Sequence, residues 1–279
     1  MDSANDAIGA APLCLSAFMS ENASLQNLAQ SVSRSSTLQV KIFADGADME
    51  SILESAKNPL IAGFTTNPTL MRKAGIKDYE SFGRQLVRAI PDRPFSFEVL
   101  SDEFDEMEDQ ALQIASWGRN VYVKIPITNT RRESAAPLVD RLARQGVKVN
   151  VTAIMTLAQV EAVLPSLRHS APACISIFAG RIADAGCDPI PILCGALLRM
   201  RRHPNVELIW ASPREVFNIV QADTIGCHII TVTNDLLKKL PLLGRDLDLY
   251  SLDTVRMFVE DARAAGFTLT REGQTVRRA

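Results

Sequence analysis

Lys124 is the fourth residue of Val121-Tyr122-Val123-Lys124-Ile125-Pro126, an apolar, strand-like run that would be expected to exclude an ammonium group. A free lysine titrates near ~10.4, and burial disfavours its charged form. Held neutral, it is an amine nucleophile of the kind that forms Schiff bases with carbonyl substrates. Covalent chemistry on a ketone or aldehyde is therefore one reading of this residue. A strand-end lysine that snorkels to water is the other. Glu98 is a second charge out of place, since Phe97-Glu98-Val99 puts a carboxylate in an apolar run where it is unfavourable without a partner.

Such groups need a frame. From Leu38 onward, short β-branched or aromatic runs alternate with segments of helical period, which predicts repeated βα units and a parallel sheet. Candidate strands fall at 40 to 44, 60 to 64, 95 to 99, 120 to 125, 147 to 152, 174 to 178, 206 to 210 and 227 to 231. Between them, apolar residues recur at helical spacing, as in Phe82, Leu86 and Ile90, or Phe104, Met107, Ala111 and Ile114. Gly146 and Gly118 stand where helix stops are expected, and Ser212 with Pro213 reads as an N-cap and first helical residue. Eight βα units in the α/β class fit a single (β/α)₈ TIM barrel over 39–279, preceded by an N-terminal extension over 1–38 that is partly helical or disordered. A doubly wound sheet is disfavoured because no GxGxxG or GxxxxGK[ST] occurs.

Barrel enzymes carry their chemistry at the C-terminal ends of the strands. Polar residues there are Asp45; Thr65, Thr66 and Asn67; Glu98; Lys124; Asn150 and Thr152; Ser176 and Arg181; and Ser212 and Arg214. An amine, two carboxylates, hydroxyls, amides and two guanidiniums suit a phosphorylated sugar: carbonyl capture by Lys124, proton transfer by the carboxylates, phosphate held by arginine. Arg214, near a helix start, would add free N–H groups for an anion. Each residue also has a plainer reading. Asp45 could be a turn residue and Thr152 a strand former, and Arg181 and Arg214 could be surface charges.

At 279 residues, 47% hydrophobic and 22% charged, the chain has an ordinary globular composition. A net charge of -2 gives no general attraction to nucleic acid or anionic membrane. No apolar run approaches the roughly 18 residues that span a bilayer. The cysteines at 14, 174, 187, 194 and 227 are odd in number without CxxC spacing, which argues for reduced thiols and a cytoplasmic location. The three histidines lack paired metal-ligand spacing, so no metal is expected. The Ser-rich start lacks the basic residues of a secretory or mitochondrial leader.

The stretches FADGAD at 43 to 48, GFTTNPTLM at 63 to 71, FEV at 97 to 99, VYVKIPIT at 121 to 128, NVT at 150 to 152, SIFAGRIAD at 176 to 184 and ASPRE at 211 to 215 resemble the transaldolase family, in the family's order, over about Val40 to Leu269. The resemblance implies that Lys124 is the Schiff-base lysine, that Asp45 is the acid/base on the hydroxyl next to the breaking bond, and that Glu98 and Thr152 hold a catalytic water. It implies that Asn67, Asn150 and Ser176 bind donor hydroxyls, and that Arg181, Ser212 and Arg214 bind the phosphate.

Glu98, Asn150 and Phe178 stand where the small fructose-6-phosphate aldolases of this family usually have Gln, Gly and Tyr, which favours the transaldolase branch. The family's ASF[RK] becomes Ala211-Ser212-Pro213-Arg214, losing an aromatic beside the phosphate. The expected activity is transfer of a dihydroxyacetone unit between phosphorylated sugars, without a cofactor, in carbohydrate metabolism and the pentose phosphate pathway. The alternatives are an aldolase that releases dihydroxyacetone and a barrel that binds sugar phosphate without turnover. The outer helices offer surfaces for self-association, and the resemblance implies a homo-oligomer.

Overall fold

The computed structural model describes residues 38–169 and 171–269. The expected N-terminal extension therefore lies, apart from Leu38, outside the described residues. Eight strands, β1 (Lys41–Asp45), β2 (Ile61–Thr65), β3 (Phe95–Glu98), β4 (Val121–Pro126), β5 (Val149–Ile154), β6 (Ala173–Ile177), β7 (Val206–Trp210) and β8 (Ile229–Thr233), close in that order into a parallel barrel. The ring shuts where β1 meets β8, with Asp45 opposite Thr233. This is the (β/α)₈ architecture, and it occupies a compact unit over Ser36–Pro241.

The helices that alternate with the strands are α1 (Met49–Ala56), α2 (Pro68–Lys73), α3 (Tyr79–Ala89), α4 (Phe104–Ala115), α5 (Ala136–Arg144), α6 (Leu157–Val163), α7 (Ala179–Asp184), α8 (Ile190–Met200), α9 (Phe217–Thr224) and α10 (Asn234–Leu237). Several begin at side-chain caps: Asp48 accepts from Ser51 N, Asn67 from Leu70 N and Asp78 from Ser81 N. A second unit begins at Leu242, and its helix α11 (Leu247–Ala264) is capped by Asp246.

Two apolar clusters divide the labour. The larger joins outward strand residues such as Ile42, Phe97, Val123, Ile175 and Leu208 to helix residues such as Leu86, Met107, Leu138 and Ile219. Each such side chain, fully buried, contributes roughly 1.5–3 kcal/mol. The smaller holds Phe43, Cys174, Ile209, Ala211 and Ile229, inward residues of β1, β6, β7 and β8 and the residue just past β7. Gly63 is required there, because a Cβ would meet the Phe43 ring at 2.6 Å. Most apolar burial thus lies outside the ring, and the inner face above Phe43 is left to polar groups.

Some local expectations change. Strand eight ends at Thr233 rather than 231. Gly146 does follow a helix end with φ +81, but α4 stops at Ala115, and Gly118 serves packing instead, since a Cβ there would meet Val87 Cγ1 at 2.5 Å. Ser212 and Pro213 do not start a helix. Ser212 sits at φ +57, outside the extended range of an N-cap, and α9 begins only at Phe217.

Candidate active site

The strand period of two puts Glu98, Lys124 and Asn150 on the inner face, and parallel register makes them neighbours: Glu98 pairs with Lys124 and Lys124 with Asn150. Lys124 is 7% exposed, so its amine is inside the barrel and does not snorkel to bulk water. Its Nζ lies 3.2 Å from Glu98 Oε2 and donates to the Thr66 carbonyl at 3.0 Å. Asp45 faces the same space and accepts from Thr65 Oγ1 at 2.7 Å. Burial raises the Asp45 carboxyl above its usual range, opposed by Lys124 and the Thr65 bond and reinforced by Glu98.

Asn150 is fully buried in a polar chain. Ser176 Oγ donates to its Oδ1 at 2.7 Å, and its Nδ2 donates to Ser96 Oγ at 3.2 Å. Thr152 Oγ1 is buried with no hydrogen-bond partner among the described residues. Thr152 pairs with Pro126 one rung above the lysine, and Ala153 beyond it adopts φ +61 where the β5–β6 register shifts.

These groups open into one cavity of about 550 Å³. Asp45, Thr65, Asn67, Glu98, Lys124, Asn150, Thr152, Ser176, Phe178, Arg181, Ser212 and Arg214 all line it. Thr66 does not; it is buried and reaches the site through its carbonyl. Asn67 both lines the cavity and caps α2. Arg181 stacks over the Phe178 ring at 5.5 Å, and Arg214 makes a two-point ion pair with Asp184. The free N–H groups expected near Arg214 are already taken, since Arg214 N and Glu215 N donate to Asn218 Oδ1 at 2.8 and 3.2 Å.

Several neighbours escaped the sequence reading. Thr231, Thr233 and Lys73 also line the cavity. The alternation Thr231-Val232-Thr233 carried a readable signal, a polar residue at every second position of a strand. Ser96 and Tyr79 carried none: a serine between phenylalanines and a tyrosine at the start of a helix are ordinary. Among the described residues no group of histidine, cysteine or acidic side chains could hold a metal, and no helix is long and apolar enough to cross a membrane.

An amine and two carboxylates thus share one cavity at the strand ends of a closed (β/α)₈ barrel, the mouth where barrel enzymes carry their chemistry. A profile of the family described as Transaldolase/Fructose-6-phosphate aldolase matches residues 42–272. The chain is 34% identical over 202 residues to a protein of Dehalococcoides mccartyi named "Probable transaldolase", covering 72% of this chain and 90% of that one. A Thermoanaerobacter protein of the same name is 31% identical over 234 residues, 82% of this chain and 100% of the relative. One from Streptococcus agalactiae is 33% identical over 223 residues, 77% and 97%. The chain belongs to the transaldolase/fructose-6-phosphate aldolase family and is an enzyme.

Proposed function

We propose that this enzyme transfers a dihydroxyacetone unit from a ketose phosphate to an aldose phosphate through a Schiff base on Lys124. The observation that carries this reading is the buried Lys124 amine, 3.2 Å from Glu98 and facing the same cavity as Asp45 and the two arginines.

In the proposed reaction, the neutral amine of Lys124 adds to the C2 ketone and gives a carbinolamine. Glu98, holding the proton that the lysine ammonium gave up to it on becoming neutral, passes that proton to the departing hydroxyl, water leaves, and the iminium forms. The Asp45 carboxylate then takes the proton of the C4 hydroxyl. The C3–C4 electron pair flows into the iminium, an aldose phosphate leaves with its new aldehyde, and a three-carbon enamine stays on Lys124. An acceptor aldehyde is attacked by the enamine carbon, its oxygen takes the Asp45 proton, and water hydrolyses the new iminium to free the lysine. The raised Asp45 carboxyl supports this role, because a carboxylic acid moved toward neutrality both takes and returns a proton readily. The buried, unpartnered Thr152 hydroxyl supports a part with Glu98 in holding the water that leaves and re-enters.

Phe178 favours transfer over release. Where it lines the cavity it offers no hydroxyl proton to the enamine, so the intermediate waits for an acceptor. Asn67, Asn150 and Ser176 are assigned to donor hydroxyls, and Arg181, Ser212 and Arg214 to the phosphate. On the same reading the enzyme is cytoplasmic, acts in the pentose phosphate pathway and forms a homo-oligomer.

The test is incubation with fructose 6-phosphate and borohydride, followed by mass location of the adduct. Reduction onto Lys124 is expected, and a Lys124→Ala variant that retains turnover would refute the mechanism. Sugar cleavage that proceeds equally well without an acceptor aldehyde would favour the aldolase reading.

A further inference from the structure

Strand β3 bonds to its neighbours alternately. Val99 N donates toward β4, to Lys124 O at 3.2 Å, whereas Ser96 and Glu98 face β2. On that side the rungs run from Phe64 N to Pro94 O at 2.9 Å and from Thr66 N to Ser96 O at 3.2 Å. Continued by two residues, the ladder would place Glu98 N–H on the Thr66 carbonyl and give Glu98 C=O a donor from residue 68. Residue 68 is proline and has no N–H. The Thr66 carbonyl, moreover, is engaged by Lys124 Nζ.

Both orphaned groups of Glu98 meet one atom. Tyr79 Oη accepts from Glu98 N at 2.8 Å and donates to Glu98 O at 2.7 Å. The ring that carries it is held by Phe97, edge-on at 6.4 Å, and by Trp117 at 5.7 Å. Trp117 lies close over α3 at Gly83, where a Cβ would meet its ring at 2.3 Å. Burial keeps the phenol protonated far above neutrality, so it remains a donor.

We infer that Tyr79 is a positioning residue for the reaction: its hydroxyl replaces the missing β2 rung, fixes the Glu98 peptide, and so leaves the Thr66 carbonyl free to orient the Lys124 amine. This role rests on the Schiff-base reading of Lys124 and Glu98. Misplacement of a reacting group by about 1 Å can cost on the order of 10²-fold in rate.

Tyr79→Phe removes one oxygen and keeps the ring, and circular dichroism with a melting curve checks that the fold is kept. The expected result is a fall in kcat of about 10- to 100-fold, with KM for fructose 6-phosphate nearly unchanged and slower borohydride trapping at Lys124. In a Glu98→Gln background the same change should cost less than in the parent, because part of the hydroxyl's effect runs through the Glu98 carboxylate and the rest through the Thr66 carbonyl. Equal losses in both backgrounds, or a Tyr79→Phe enzyme within about twofold of the parent, would overturn the assignment. If the parent itself forms no Lys124 adduct, the Schiff-base reading falls first and this one with it; an adduct in the parent with an unaffected variant sinks this inference alone.

Discussion

Glu98 and Lys124 are register partners on adjacent strands, and their side-chain ends meet at 3.2 Å. Their separation is set by backbone rungs on both sides of the pair. Lys124 also has Asn150 as its partner on the other flank, so the amine sits on the middle of three consecutive strands. On the proposed mechanism, a nucleophile held this way loses little freedom on reaching the transition state.

Glu98→Gln keeps the shape and removes the carboxylate. Turnover is expected to fall by about 10²–10⁴-fold, the usual contribution of a general acid or base. Lys124 should still trap substrate, more slowly. Single-turnover rates with mass detection of the reduced adduct check both parts.

Asp45→Asn should separate stability from activity. The native carboxyl titrates above its usual 3.8, so between that value and the raised one the folded state holds more protons than the unfolded state. Stability therefore falls as pH rises through this window. The variant carries no such cost and is expected to melt at a higher temperature at pH 7. That gain should vanish as pH drops below 3.8, while activity is lost throughout. Melting curves across pH and a turnover assay are the measurements.

Arg181→Ala and Arg214→Ala should each raise KM for a ketose phosphate by about 10- to 100-fold, the cost of a charge-assisted hydrogen bond. Trapping of unphosphorylated dihydroxyacetone at Lys124 should hardly change. An equal loss with both substrates would move the phosphate elsewhere.

Gly180→Ala tests how the phosphate-side loop is built. A Cβ at residue 180 would stand 1.6 Å from the Ser212 carbonyl oxygen, a clash with backbone that no rotamer relieves. Overpacking of this kind costs about 1–3 kcal/mol. The variant is expected to melt lower and to show a raised KM for the phosphorylated donor, measured by calorimetry and initial rates.

The barrel and most of its mouth were legible because they rest on two periods, two for strands and 3.6 for helices. Charged residues such as Lys124 and Glu98 stood out against the first. Ser212 was misread because Ser-Pro is the ordinary opening of a helix, and only tertiary closeness to Gly180 explains its left-handed turn. Tyr79 was invisible for a different reason. Its role depends on a hydrogen bond that Pro68 cannot make, a partnership across 11 positions of chain and two strands. Thr233 was missed through a strand boundary drawn two residues early, whereas Thr231 closed the expected strand and was passed over.

The Phe43, Cys174, Ile209 and Ile229 side chains stopper the ring below the lysine. On the proposed mechanism, reactants then enter and leave by the mouth that Lys124 faces. The first aldose would depart before the second approaches, so initial rates should trace parallel lines in a double-reciprocal plot, and excess donor should compete with the acceptor for the same vestibule.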